Sequence, residues 1–248
     1  MNLVIYEHPL NEKLRTFMRV EHLFGQVNSC KSLSEKSQTM AFFESLFALV
    51  DVLDRHDIRS ELSKELEHNE QKLVKWSQHP QICNDALQVT LKKVIQLQHT
   101  LSKMGRISNQ LKEEPFLGSI RQRFAIPGGS CNFDLPQLHF WTHLPAKTQV
   151  SQVNDWLTLL APIEEAIDII LSFVRERSTF SSVKALGGFY QDNAEKIELL
   201  RIQYTPAYGA YPTVSGNKYR YSIRFMQLNE DHDRTATEQD ILFSLARC

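Results

Sequence analysis

The sequence predicts an α+β fold: a mostly α-helical domain over residues 8–178, then an antiparallel β-domain built from residues 179–248 together with 1–7. Three observations predict it. Apolar residues recur at three- and four-residue spacing through most of the first part of the chain. After Ser178 the period drops to two, with Leu200, Ile202 and Tyr204 alternating with Arg201 and Gln203. A lone apolar run at 3–6 stands at the start; a single strand is not stable alone, so it is expected to join the C-terminal sheet.

Taken in order, His8-Pro9 ends that first strand. Leu14, Phe17, Met18, Leu23, Phe24 and Val27 then mark a helix, with Arg15 and Arg19 one turn apart on another face. A second helix is expected over 39–55 on Met40, Phe43, Leu46, Phe47, Val50 and Leu53. It leaves Phe42 and Leu49 as spare apolar residues, candidates for a subunit contact. Asp57 suits the N-cap of a third helix through Leu62, Leu66, Leu73 and Trp76, whose Glu61, Lys64, Glu65 and Lys72 form a solvated face. A fourth is expected over 85–104, with shorter pieces at 107–111 and 116–124. Ile126-Pro127-Gly128-Gly129-Ser130 reads as a loop. Asp134 as a cap and Pro136 as an early helical proline open a short helix to Leu144. Val153, Trp156, Leu157, Leu160, Ile163, Ile167, Ile170, Leu171 and Val174 mark one long helix, or two meeting at Pro162, where the missing N–H predicts a break or kink. In the β-domain, runs at 211–214 and 219–226 flank Ser215-Gly216-Asn217-Lys218, a hairpin turn signal, and Ile241, Phe243 and Leu245 alternate near the end.

A chain of 248 residues with 42% hydrophobic and 23% charged positions has ample material for a core and is not compositionally disordered. No apolar run reaches the 18 or so residues of a membrane span, and the N-terminus lacks the basic-then-apolar pattern of a signal peptide. The net charge of −1 argues against a dedicated nucleic-acid binder. Cys30, Cys83, Cys131 and Cys248 lie far apart with no C-x-x-C pair, as expected of reduced thiols in a cytosol rather than a disulfide frame or zinc site.

Signatures of chemistry are missing: no G-x-G-x-x-G, Walker loop, G-x-S-x-G or H-E-x-x-H occurs. His139 and His143 are one helical turn apart, yet two histidines with no third ligand are a weak metal signal. One is expected against the neighbouring aromatics and the other in water. Gly128-Gly129-Ser130, with Arg121 and Arg123 nearby, has the composition of an anion nest, but a plain turn between helices is the better reading. Glu113-Glu114 and Glu164-Glu165 are adjacent and so diverge on a helix, as surface charges do. No enzyme, cofactor or metal site is expected.

One pattern stands out. In the run from Lys218 to Met226, Tyr219, Tyr221, Ile223 and Phe225 share one face, while Lys218, Arg220, Ser222, Arg224 and Met226 share the other. At about 3.3 Å per residue the cations spread over roughly 20 Å. Arg201 lies opposite an apolar face too and would sit beside them if its strand pairs with theirs. Between Leu199 and Met226 there are four cations and no acid, whereas 230–240 holds five acids and one cation. The plain alternative is the solvated side of an antiparallel sheet. The functional reading is an arginine-lined surface for an acidic peptide, since the planar guanidinium fork grips carboxylates bidentately. A single-stranded nucleic acid is the competing ligand, with Tyr219 and Tyr221 stacking on bases; the tyrosines, however, lie opposite the cations.

Several motifs resemble the ZapD family of bacterial cell-division proteins. They are Glu7-His8-Pro9-Leu10-Asn11-Glu12-Lys13, Arg121-Gln122-Arg123-Phe124-Ala125-Ile126-Pro127-Gly128-Gly129, Phe133-Asp134-Leu135-Pro136, Leu138-His139-Phe140-Trp141-Thr142-His143-Leu144-Pro145, Gly188-Phe189-Tyr190-Gln191-Asp192-Asn193 and Ile223-Arg224-Phe225-Met226. They fall in family order over nearly the whole chain. The resemblance implies a helical domain with a β-domain, a cytoplasmic homodimer acting at the mid-cell division site, and no enzymatic activity. It also implies a partner, the C-terminal tail of the tubulin-like FtsZ, held by a basic surface so that filaments are gathered into bundles. The choice of residues rests on the face pattern: Lys218, Arg220 and Arg224 at the core of the tail-binding surface, with Arg201, Arg121, Arg123 and His139 as neighbours.

Overall fold

The change of hydrophobic period near Ser178 is where helix gives way to strand. The structure, a computed structural model, describes residues 2–55, 57–77, 84–105, 107–217, 219–229 and 233–248. Among these, the first strand β1 (Val4–Pro9) leads into α1 (Glu12–Cys30), α2 (Lys36–Arg55), α3 (Ile58–Ser77) and α4 (Asn84–Lys103). Three short helices follow, α5 (Ile107–Glu113), α6 (Pro115–Phe124) and α7 (Pro136–Trp141), then the long α8 (Ala146–Arg175). The remaining strands are β2 (Ser181–Ala185), β3 (Phe189–Asn193), β4 (Leu199–Tyr204), β5 (Ala210–Gly216), β6 (Arg220–Leu228), β7 (Arg234–Ala236) and β8 (Ile241–Arg247). The chain divides into two units, one of residues 18–170 and one of residues 1–17 with 171–248. Cys83 and Lys218 lie outside the described residues.

The helical unit is organised by aromatic rings. Phe43 touches Phe47, Phe116, Phe124, Trp141 and Trp156, with centroids between 5.3 and 6.1 Å. Such pairs add about 0.5–1.5 kcal/mol each beyond the area they bury. Phe42 and Leu49, expected as spare apolar residues, are fully buried in this unit: α2 has core on more than one side, so neither is available to a subunit contact. α8 runs unbroken through Pro162, because Val153, Trp156 and Leu160 before it and Ile163, Ile167 and Ile170 after it are all buried. Packing on both sides of the proline outweighs the one lost hydrogen bond. The cap of α7 falls on Leu135, not on Asp134, and the helix ends at Trp141 rather than Leu144. Glu114 caps α6 by accepting the Leu117 N–H at 2.6 Å.

The β-unit is two antiparallel sheets of four strands. One has the order β1-β4-β8-β2, which places the N-terminal strand in the C-terminal fold. In the other, β6 lies between β5 and β3, with β7 continuing alongside β6 past the end of β3. Ile202, Ile241, Phe243 and Leu245 from the first sheet and Tyr221, Ile223 and Phe225 from the second share one buried cluster. The second sheet thus has one dry and one wet face, whereas in the first Leu199 and Ala246, on the side opposite Ile202 and Leu245, are buried as well.

β1 is fastened by charge as well as by its ladder. Glu7, directly opposite Arg201 in register, accepts from Arg201 Nε at 2.8 Å and from Arg175 Nε and Nη2 at 3.0 and 2.8 Å. Desolvation alone would raise the Glu7 pKa, but the hydrogen bonds and charge of Arg175 and Arg201 together hold it below the ordinary carboxylate value. A depressed folded-state pKa contributes stability above the unfolded pKa and loses it as pH falls through the folded one. Glu7→Gln is therefore expected to cost about 1–3 kcal/mol at pH 7. In urea denaturation the gap to wild type should close as the pH drops below the ordinary carboxylate range.

Candidate functional site

β6 carries the candidate residues Arg220 and Arg224, and pairing fixes what surrounds them. Directly opposed residues of antiparallel strands share a face. Arg224 faces Phe189 on β3 and Thr213 on β5; Ser222 faces Gln191 and Ser215; Arg220 faces Asn193. Further along, Met226 is opposite Tyr211 and Ala236, and Leu228 is opposite Arg234. None of the residues in these rows is acidic. Arg220, Arg224 and Arg234 are exposed, while Tyr221, Ile223 and Phe225 of the same strand as the first two are buried. Among the described residues, neither Arg220 nor Arg224 has a carboxylate partner. The Arg224 guanidinium lies over the Phe189 ring at 5.3 Å, a cation–π contact that leaves its N–H fork open to water.

A polar groove of about 680 Å³ opens beside Arg220, lined also by Phe189, Gln191, Asn193, Ser215, Asn217 and Ser222. Asn217 shapes its end. Its side-chain carbonyl accepts from the Tyr219 and Arg220 N–H groups at 2.9 and 3.2 Å, and its own N–H donates to the Arg220 carbonyl at 3.0 Å. Gly216, read from sequence as part of the turn, belongs to β5 and pairs with Tyr221; a side chain there would meet Leu10 and Tyr221 at 2.9 Å.

Asp192 of β3 stands opposite Tyr221, so its carboxylate lies on the inter-sheet side of the strand rather than with Arg220 and Arg224. It is tied down by the Asn193 N–H at 2.8 Å, the Tyr190 hydroxyl at 3.1 Å and Arg247 Nη2 at 3.1 Å. The Asn193 N–H does most to hold its pKa below the ordinary carboxylate value; against some desolvation, Tyr190 and Arg247 add to the same effect. Arg247 comes from β8 of the other sheet and also donates to the hydroxyls of Tyr190 at 2.6 Å and Tyr221 at 2.9 Å. Burial pushes the Tyr221 hydroxyl up to about 12, so it stays protonated as an acceptor for Arg247.

The other sequence-predicted residues lie elsewhere. Arg201 does not join the cationic face: β4 pairs with β1 and β8, not with β6. Its guanidinium is bound to Glu7 and the Arg175 carbonyl and rests on Phe180. Arg121 and Arg123 are in the helical unit, Arg121 paired with Asp51 beside a groove of about 480 Å³ and Arg123 with Asp134 at 3.7 Å. His139 and His143 sit ring to ring at 4.5 Å with the His143 Nδ1 at 2.7 Å from the His139 carbonyl. Both are exposed, so neither packs into the aromatic core as expected. The Gly129 N–H donates to the Ile126 carbonyl at 2.9 Å, the pattern of a turn. Tyr221 is buried, which removes one of the two proposed stacking platforms for a nucleic acid. Among the described residues, no cluster of three or more metal-ligating side chains occurs, and no helix is long and apolar enough to cross a membrane. Arg234 and Arg247 were missed from sequence. Arg234 is the one cation inside the acidic stretch 230–240, and Arg247 meets Asp192 across 55 residues of chain.

Comparison with known proteins bears on the whole chain. The ZapD family model, described as a cell division protein, matches residues 18–224. The cell division protein ZapD of Pectobacterium carotovorum subsp. carotovorum is 39% identical over 245 residues, covering 99% of this chain and 97% of the relative. That of Photobacterium profundum is 40% identical over 244 residues, covering 98% of each. The Cronobacter sakazakii protein of the same name is 39% identical over 99% of this chain and 98% of the relative.

Phe189 owes its position to the glycine before it. Gly188 has φ +69°, and its carbonyl accepts the Phe225 N–H at 2.8 Å. A Cβ at this position would come within 2.6 Å of the Thr237 side chain and carbonyl. Backbone strain and overpacking together predict that Gly188→Ala lowers stability by about 2–4 kcal/mol, read as a shift in the chemical denaturation midpoint.

Proposed function

The chain belongs to the ZapD family of cell division proteins, and from that premise we propose that it is a non-enzymatic adaptor for FtsZ. It binds the C-terminal tail of FtsZ and cross-links the filaments into bundles, promoting Z-ring assembly at mid-cell. The observation that carries this reading is the exposed, acid-free face of β6 with Arg220 and Arg224 lacking carboxylate partners among the described residues. Most other arginines of the β-unit are already committed: Arg175 and Arg201 to Glu7, Arg177 to Glu198 and Arg247 to Asp192.

Arginine suits such a contact because its weakly hydrated planar fork exchanges water for two carboxylate oxygens at little cost. Arg220 and Arg224 stand four residues apart, about 13 Å along the strand, a spacing an extended or helical acidic segment can bridge. Lys218 enters this surface by sequence position alone. Arg201 is consumed by Glu7, and Arg121 and Arg123 by Asp51 and Asp134, so the contact centres on the sheet, with Arg121, Arg123 and His139 contributing at most a second area. Bundling needs two tails held at once. A homodimer supplies two such faces, and avidity along a polymer multiplies a modest single-site affinity.

The test is fluorescence anisotropy of a labelled FtsZ C-terminal tail peptide titrated with wild type and with an Arg220→Glu, Arg224→Glu double variant. The variant should bind at least tenfold more weakly, since each lost charge-assisted hydrogen bond is worth about 1.5–3 kcal/mol. Wild-type affinity should fall as salt rises, exposed charges being screened within about 10 Å at 0.1 M. Salt-independent binding would overturn the arginine reading; unchanged binding by a folded variant would move the contact off the sheet.

A further inference from the structure

The outward face of β6 does not end at Arg224. The next two outward residues are Met226, opposite Tyr211 and Ala236, and Leu228, opposite Arg234. Residues at even positions of this strand share one face, so both stand with Arg220 and Arg224. Leu228 is 58% exposed, and Phe189, one row back beneath the Arg224 guanidinium, is 37% exposed. Scattered apolar residues on a surface are ordinary, but these occupy consecutive rows. The strip runs roughly 13 Å along β6 from Arg224 to Leu228 and about 10 Å across three strands. A stable subunit contact buries about 800 Å² on each partner, several times that area. A second copy fits poorly for another reason. Arg224 bounds the strip at one end and Arg234 at the other, so a two-fold contact here brings arginine onto arginine, and no residue in these rows is acidic. What fits is a small apolar group attached to carboxylates.

We propose that Met226 and Leu228 form an apolar subsite of this face, which takes a hydrophobic side chain of the FtsZ tail while Arg220 and Arg224 hold its carboxylates. This rests on the tail-binding reading above and adds a direction to it. The acidic part of the tail lies toward Arg220 and the apolar part toward Leu228. The two contacts differ in kind. The arginines act through charge, which salt screens, and Leu228 acts by leaving water, which moderate salt barely alters. An acidic peptide without apolar side chains uses the first contact and not the second.

The experiment titrates the labelled FtsZ tail peptide and a labelled hexaglutamate peptide with the full chain as wild type, Leu228→Ser and Leu228→Met, each across a range of salt and with a thermal melt. Leu228→Ser should weaken tail binding about fivefold, the loss of one partly buried leucine contact. Its affinity should fall with salt in parallel with wild type, because the arginines are intact. Leu228→Met, which keeps the apolar surface, should bind the tail within twofold of wild type. Hexaglutamate should bind all three proteins alike, and the melts should agree within about 2 °C, since Leu228 is mostly in water. Tail affinity unchanged in Leu228→Ser would overturn the inference and leave the tail-binding reading standing; weaker self-association of that variant in sedimentation would then assign the strip to a second copy. An equal loss for both peptides would also overturn it, by showing that the substitution disturbs the whole face. Absence of tail binding by the wild type would overturn the tail-binding reading, and this one with it.

Discussion

A strand that must bury every second side chain has no freedom over where the others go. β6 places Tyr221, Ile223 and Phe225 in the shared core, each at most 2% exposed. Burying each such side chain is worth about 1.5–3 kcal/mol. A slip of one residue would exchange these three for Arg220, Ser222 and Arg224, losing that burial and desolvating two charges. The register is thus set by the dry face, and the arginines are held outward as a consequence. The groove residues follow from the same constraint, because Phe189, Gln191 and Asn193 are the outward partners of Arg224, Ser222 and Arg220.

Charge in the β-unit is sorted by the same logic. Among the described residues, five of its carboxylates are bound to cations: Glu7 to Arg175 and Arg201, Glu12 to Arg15, Glu198 to Arg177 and Lys13, Asp240 to Lys184, Asp192 to Arg247. Glu7 and Glu198 are half-buried, and a buried carboxylate is tolerable only with donors around it. These pairs use up acid without using Arg220, Arg224 or Arg234. A protein of net charge −1 can in this way present a locally cationic face. Cys248 shows the complementary effect, burial raising its thiol pKa and leaving it a small apolar filler rather than a nucleophile.

The helical spans and the hairpin were legible because they are local. Periodicity located the long helices to within a few residues, Asp57 caps α3 through its bond to the Ser60 N–H, and the alternation in β6 separated wet from dry before any pairing was known. The N-terminal strand was placed in the C-terminal sheet by the need of any strand for partners. What local pattern does not contain is strand order. Arg201 has the same alternation as Arg224, yet it lies in the other sheet because β4 takes β1 and β8 as neighbours. The division into two layers, the third cation Arg234 and the reach of Arg247 to Asp192 all depend on that order. Pro162 was misleading for a related reason, since its local cost is real but buried side chains on both sides, Ala166 included, hold the helix around it.

The exposure of the arginines also bears on what kind of binding the face supports. An apolar interface gains its energy by removing large areas from water and releases slowly. Two wet guanidiniums and an amide-lined groove give up little water, gain little per contact and exchange quickly. For a ligand met once, that is a poor site. For tails repeated along a filament it is a serviceable one, because a second linked contact raises the effective affinity by orders of magnitude while each single contact stays reversible. On the reading proposed above, a face built this way would let cross-links form when filaments are dense and part when subunits leave. That behaviour follows from the arginines being solvated, and they are solvated because the opposite side of their strand is the core.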